Sequence, residues 1–173
     1  MVLFQTIRIF SMSNQFEIRR VTAIDLNEIT TLFRETVLSI NKRDYNDEQV
    51  RVWSAAADRE ENWLKKIDEH YFICAVFENK IIGFASLATD GYLDFMYVHK
   101  DYQERGVASL LYRYLETHAA DLKLSKIYSE VSITAKPFFE KKEFVIVEKQ
   151  QKILDGVEFV NYRMEKYFYN QVV

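Results

Sequence analysis

The chain has 173 residues, of which 49% are hydrophobic and 15% aromatic, which supports one domain with a substantial core and is short for two. A single proline and only four glycines exclude a low-complexity or disordered protein. The net charge of −3, with Lys and Arg scattered among acidic residues, argues against a surface for nucleic acid.

The cysteine content and the ends of the chain indicate a cytoplasmic protein. Cys74 is the single cysteine and lies in an apolar run, so an internal disulfide is excluded and a reducing compartment fits. The first residues lack the features of a signal peptide, and no segment reaches membrane-spanning length. Met12 is an alternative natural start. We therefore predict a disordered N-terminal extension over residues 1–14 and a single domain over residues 15–173.

The first part of the chain reads as a strand followed by helices. Apolar and polar residues alternate over 16–21, which predicts the first strand. Helices are expected to fill the segment before residue 70, with apolar positions spaced by three or four. Each predicted helix start pairs a capping residue with an acid or amide three positions later: Thr22 with Asp25, Asn46 with Gln49, and Asp58 with Glu61.

The second part reads as an antiparallel meander, a long helix, and further strands around a short helix. The elements therefore predict an α/β fold with a central, mixed but mostly antiparallel, twisted sheet of about seven strands and helices on both faces. The predicted strands cover residues 71–77, 81–87, 92–98, 127–131, 144–150 and 157–167, and the predicted helices begin at Gly106 and Pro137.

The turn before the long helix is a candidate anion site. A short loop leads from the strand ending at Val98 to the helix at Gly106, and the first amides of a helix lack partners within it. Gly106 allows a phosphate to approach the backbone, and Arg105 supplies positive charge. A glycine at a helix start is weak evidence alone, because most such glycines only shape a turn.

The pattern around this glycine resembles the GNAT superfamily of N-acetyltransferases. The loop Gln103-x-x-Gly106-x-Ala108 resembles the family's pyrophosphate loop, and Met96-Tyr97-Val98 resembles its acetyl-CoA strand. The segment 135–144 resembles a later family motif, and 132–140 is especially similar to the YafP-like branch. The order of elements over residues 16–167 matches the GNAT fold.

The resemblance implies an enzyme that moves an acetyl group from acetyl-CoA to a primary amine of a small molecule or peptide in a ternary complex, with no metal and no membrane partner. A homodimer through the C-terminal strands is also compatible with the family. The backbones of Met96 and Val98 would pair with the pantetheine arm, which Ser132 would face. The other residues implied in cofactor binding are Gln103, Glu104, Arg105, Gly106, Val107, Ala108, Ser109 and Phe139.

Transfer to an amine requires a base, and two carboxylates are candidates. Asp94 lies in an aromatic strand, and alternation places it on the side of Met96 and Val98, where burial would raise its pKa. Alternatively, Asp94 binds a helix cap or a neighbouring arginine. Glu130 on the next strand is the second candidate, and its alternative is a solvated or ion-paired carboxylate.

The general acid and the acceptor pocket are less defined. Phe139 stands where many GNAT enzymes have a catalytic tyrosine, so either another hydroxyl from Tyr97, Ser132 or Thr134 replaces it or the thiolate leaves unassisted. This departure also permits a non-catalytic acyl-CoA-binding module, and a longer acyl donor is a third option.

The residues expected to line an acceptor pocket are Thr36, Tyr45 and Trp53, which alternatively belong to the core. The three histidines form no metal-binding pattern, with His118 expected in the core and His99 in an exposed turn.

Overall fold

The computed structural model describes residues 16–168, so the predicted extension and Met12 lie outside the described residues. None of the helices in this range is long and apolar enough to cross a membrane. The strands are β1 (Glu17–Arg20), β2 (Tyr71–Phe77), β3 (Lys80–Leu87), β4 (Leu93–Val98), β5 (Lys126–Ser132), β6 (Val145–Leu154) and β7 (Val157–Tyr167). The α-helices are α1 (Leu26–Ser39), α2 (Asp47–Ser54), α3 (Glu60–Glu69), α4 (Val107–Asp121) and α5 (Lys136–Lys141).

The strands form two antiparallel sheets that are joined at one place. The first has the order β1-β2-β3-β4 and contains the predicted meander, while the second has the order β5-β7-β6. A parallel bridge between Tyr92 and Tyr128 joins them. The predicted α/β fold with a mixed sheet of about seven strands is therefore confirmed.

Strands β4 and β5 touch at one end only. The Tyr128 N–H donates to the Gly91 carbonyl at 3.0 Å, and the Ser129 hydroxyl donates to the Leu93 carbonyl at 2.7 Å. Farther along, the bridge is not continued, and the two strands splay toward Val98 and Ser132. The splay opens a space between the sheets in which a ligand can reach the backbone of β4.

Helices cover both faces of the first sheet. Helix α4 packs on one face, where a Cβ at Gly83 would lie 2.9 Å from the Val107 side chain, so this glycine allows close packing. The opposite face carries α1 and α3, which contribute the buried Phe33 and Trp63. Burial of these side chains on both faces holds the edge strand β4 in a fixed position.

Two of the three predicted helix starts are confirmed, and the third is wrong. Asp25 accepts the Thr22 N–H at 2.8 Å and opens a short 3-10 turn before α1, while Asn46 and Gln49 cap α2 reciprocally at 2.9 Å. Helix α3 instead begins at Glu60 without a side-chain cap. Asp58 ends the preceding 3-10 turn, and its carboxylate pairs with Arg34.

Candidate active site

The loop before α4 has the backbone shape of an anion cradle. Gly106 precedes the first residue of α4 with φ of +82°, and Glu104 also has a positive φ, of +59°, whereas Arg105 between them does not. When φ alternates in sign along a loop in this way, successive N–H groups point toward one concave side. A Cβ placed on Gly106 would meet nothing within 4 Å, so the space in front of the cradle is open.

Gln103 ties this loop to the end of β4. Its Nε2 donates to the Val98 carbonyl at 2.6 Å, and the Thr36 hydroxyl donates to the same carbonyl at 3.1 Å. Both bonds are buried or partly buried, so they link α1, β4 and the cradle. Thr36 therefore joins α1 to β4 beside the cradle, and it does not share a cavity with Tyr45, another of the residues expected to line an acceptor pocket.

A cavity of about 750 Å³ extends from the cradle into the space between β4 and β5. Arg105 is exposed and stacks on Tyr102 at 5.1 Å, outside the lining. All the other residues predicted to bind the cofactor line this cavity: Met96, Val98, Gln103, Glu104, Gly106, Val107, Ala108, Ser109, Ser132 and Phe139.

The backbone of β4 offers hydrogen-bonding groups to this cavity. In an antiparallel pair, every second residue directs its N–H and C=O toward the partner strand. The His99 N–H donates to the Ile82 carbonyl at 2.8 Å, so Tyr97 and Phe95 face β3 in the same way. Met96 and Val98 consequently direct their backbone groups away from β3. The Val98 carbonyl is engaged there by Gln103 and Thr36, so the backbone of Met96 and the Val98 N–H are the groups offered to the splay.

Ser132 and Phe139 shape the other side of the cavity. The Ser132 hydroxyl oxygen accepts the Ala135 N–H at 3.1 Å, which leaves its own proton free to be donated. Phe139 is buried and packs edge-on against Phe144, with ring centroids 5.0 Å apart. Phe139 thus supplies an apolar wall and no proton.

A second cavity of about 430 Å³ adjoins the first. Tyr45 and Trp53, two residues expected in the acceptor pocket, line it. The residues shared by the two cavities are Trp53, Asp94, Tyr97, Glu130 and Ser132. Both predicted base candidates therefore lie where the cavities meet.

A β-bulge orients Asp94. Ser86 pairs with Phe95 and Leu87 with Leu93, so Asp94 is an extra residue on β4 with no partner on β3. The predicted alternation with Met96 and Val98 is thereby interrupted. The Asp94 carboxylate instead reaches α3, where it pairs with Lys66, and its side chain is 11% exposed.

Glu130 is also ion-paired but more accessible. Its carboxylate lies 2.8 Å from the Lys152 ammonium, and its side chain is 37% exposed. The sequence did not single out Lys66 or Lys152, because these lysines lie on α3 and β6, far along the chain from their partners. Their spacing carries no signal, since only the tertiary fold brings each pair together.

The hydroxyl candidates for the general acid differ in their surroundings. Thr134 donates to the Asp44 carboxylate at 2.8 Å and is already engaged. Tyr97 lines both cavities, and burial raises the pKa of its phenol, so the hydroxyl keeps its proton. Tyr45 accepts the Ile133 N–H at 2.9 Å and donates to the Val160 carbonyl at 3.0 Å, which gives it a structural role at the wall.

Two histidines, His99 and His118, lie in surroundings that differ from those expected from the sequence. His99 is 6% exposed rather than in an exposed turn, and its Nδ1 accepts the Asp101 N–H at 3.2 Å. His118 is only partly buried and stacks on Tyr71. His70 lies 4.0 Å from Asp94, and burial lowers the pKa of its ring, which favours neutral imidazole. Within residues 16–168, no three metal-binding side chains cluster.

Comparisons with known proteins agree with this geometry. Residues 41–166 match the family model described as acetyltransferase (GNAT) domain. The chain is 30% identical over 151 residues to the uncharacterized N-acetyltransferase YafP of Escherichia coli K12, covering 87% of this chain and 95% of that protein. It is similar in structure to a GCN5-related N-acetyltransferase from Rhodopseudomonas palustris, with a TM-score of 0.85, 26% identity, and coverage of 88% and 95% of the two chains.

A more distant structure shares the fold. The PaiA N-acetyltransferase from Thermoplasma acidophilum, solved in complex with coenzyme A, has a TM-score of 0.71 at 20% identity, with coverage of 88% of this chain and 99% of that one. The family model covers well over half of the chain, and the relative from E. coli covers most of it. The chain therefore belongs to the GNAT family of acetyltransferases.

Proposed function

We propose that this protein transfers an acetyl group from acetyl-CoA to a primary amine in a ternary complex. The observation that carries the proposal is the meeting of two cavities at Asp94 and Glu130, one running from the cradle and the other lined by aromatic side chains. Direct transfer requires donor and acceptor to be held together, and this arrangement lets the two arrive from different sides.

The larger cavity fits acetyl-CoA. The open space at Gly106 and the amides from Arg105 to Ser109 suit a pyrophosphate, since phosphates bind at helix N-termini. Arg105 would add a charge-assisted contact, because its guanidinium is exposed beside the loop. The backbone of Met96 and the Val98 N–H would bind the pantetheine arm along β4, and Ser132 and Phe139 would flank it.

In the reaction, the amine nitrogen attacks the thioester carbonyl carbon, the carbon–sulfur bond breaks, and the amine loses one proton while the coenzyme A sulfur gains one. An alkylamine has a pKa of about 10, so a base is needed to produce its neutral form. Asp94 is our first candidate because it is the more buried carboxylate at the junction, and Glu130 is the second.

Tyr97 is our candidate for the group that protonates the departing sulfur. Its phenol stays protonated because burial raises its pKa, and it lines both cavities. Ser132 is the alternative donor, since its proton is free. Either residue would replace the hydroxyl that Phe139 lacks.

A test of the proposal is thiol release from acetyl-CoA over a broad panel of amines. Asp94→Asn is expected to reduce kcat by about a hundredfold, consistent with loss of a general base, while the affinity for acetyl-CoA stays within about twofold. A matched control is Asp68→Asn, an acid-to-amide change on the exposed face of α3. Equal turnover by Asp94→Asn and wild type would exclude Asp94 as the general base.

A non-catalytic acyl-CoA-binding module is the second candidate, favoured by the ion pairs that engage both carboxylates. This alternative expects binding of acetyl-, propionyl- or succinyl-CoA, seen as a rise in the unfolding temperature, without thiol release from any of them. Turnover with one acyl donor would exclude this alternative and would also identify the preferred acyl chain.

We further propose a homodimer through β6. This edge strand exposes Val147 and Ile153. If two copies pair antiparallel about Gln150 over the regular part of β6 that follows the bulge at Val147, Glu148 faces Lys152 and Lys149 faces Gln151, so no like charges oppose each other. Sedimentation should give a dimer mass for wild type and a monomer mass for the double variant Val147→Lys, Ile153→Lys. A monomeric wild type would refute the proposed dimer.

A further inference from the structure

One wall of the smaller cavity is aromatic. Trp63 stacks on Phe95 with ring centroids 4.5 Å apart, and Tyr45, Trp53 and Phe159 pack together at 5.3 to 6.2 Å. These rings come from α2, α3, β4, β7 and the loop before α2. The remaining aromatic residues in the lining are Phe33, Tyr92 and Tyr97. An apolar, flat group can replace water against such a surface.

The face of the second sheet that lines the cavity is mostly polar. Glu130 and Ser132 on β5 point to the same face as Asn161 on β7, since Ser132 pairs with Asn161 in register, and Phe159 of β7 is the aromatic residue on that face. Lys152 of β6 joins them through its ion pair with Glu130. The cavity is therefore amphipathic, since aromatic rings and hydrogen-bonding groups both line it.

The charges in the cavity disfavour a polycation. Lys66 neutralises Asp94, and Lys152 neutralises Glu130. Arg59 adds a third positive group, which pairs at the rim with Asp155 at 2.7 Å. A chain of several ammonium groups would meet three cations here and would have no carboxylate without a cationic partner, so a single amino group fits better.

We propose that the acceptor is a small aromatic primary amine with one amino group. The ring lies against the aromatic side chains of the lining, and the amine reaches Asp94 at the junction. A cavity of about 430 Å³ is in the size range of small-molecule sites. This inference rests on the proposed acetyl transfer and specifies its substrate class.

The test compares kcat/KM for phenethylamine, tyramine and tryptamine with that for spermidine and glucosamine. At least one of the three aromatic amines is expected to exceed spermidine and glucosamine by about a hundredfold. Preference for spermidine or glucosamine would overturn the inference and leave the proposed transfer intact. No transfer to any amine would overturn both.

One variant and its matched control sharpen the test. Tyr92→Leu should raise the KM for tyramine about tenfold while the KM for acetyl-CoA is unchanged, because Tyr92 lines only the smaller of the two cavities. Tyr114→Leu, the same change at an exposed site on α4, is the matched control. An unchanged KM in Tyr92→Leu that retains the wild-type unfolding temperature would contradict the aromatic wall.

Discussion

Replacing Gly106 with alanine tests two properties of this residue: its left-handed backbone conformation and the open space beside it. Gly156 has the same conformation and serves as the control. Gly106 has φ of +82°, and Gly156 in the β6–β7 turn has φ of +83°; a Cβ at either position meets nothing within 4 Å. An alanine in this left-handed region costs about 1 to 2 kcal/mol. Both Gly106→Ala and Gly156→Ala should therefore lower the unfolding temperature by a similar amount, about 2 to 8 °C for a chain of this size.

Only Gly106→Ala should weaken coenzyme A binding. A methyl group on Gly106, which lines the larger cavity, is expected to crowd a phosphate held by the loop amides. Loss of one hydrogen bond to a charged group, worth about 1.5 to 3 kcal/mol, corresponds to about a ten- to hundredfold rise in Kd. Calorimetry with coenzyme A measures this rise. Equal affinities for the two variants and wild type would refute the assignment of the cradle.

Three further outcomes follow from the described contacts. Gln103→Glu should weaken coenzyme A binding more than Gln103→Ala in calorimetry, because a carboxylate repels the Val98 carbonyl. The Arg19 guanidinium lowers the pKa of Asp25 to about 2, so the stabilisation by Asp25 is present above about pH 4 and lost as pH falls through about 2. In urea titrations at pH 7, the free energy of unfolding of Asp25→Asn should be about 1 to 2 kcal/mol lower than that of wild type. This difference should become smaller toward pH 2. Burial raises the pKa of the Cys74 thiol to about 12, so Ellman's reagent should label Cys74 only on unfolding.

The elements and the turn at Gly106 could be predicted because their signals are local. Alternation located the meander strands, and capping residues located α1 and α2. Gly106 could be identified because its neighbours in sequence are also its neighbours in the loop. The failure at Asp58 has a tertiary cause, since its carboxylate pairs with Arg34 of α1 instead of capping α3.

The residues where the two cavities meet could be predicted only in part. Asp94 was found as a carboxylate in an aromatic strand, but its orientation depends on a bulge that is defined by the register of β3. Lys66 lies 28 residues from Asp94, so no sequence spacing indicates the pair. Thr36 was correctly expected to face inward on α1, but the helical pattern does not indicate which cavity a buried residue adjoins.

Mass spectrometry of amines incubated with the purified protein and acetyl-CoA tests acetyl transfer most directly. We expect an N-acetylated amine in an amount equal to the free thiol released, with both reduced in Asp94→Asn. Tight binding of acetyl-CoA with no acetylated product from any amine would contradict the proposed transfer.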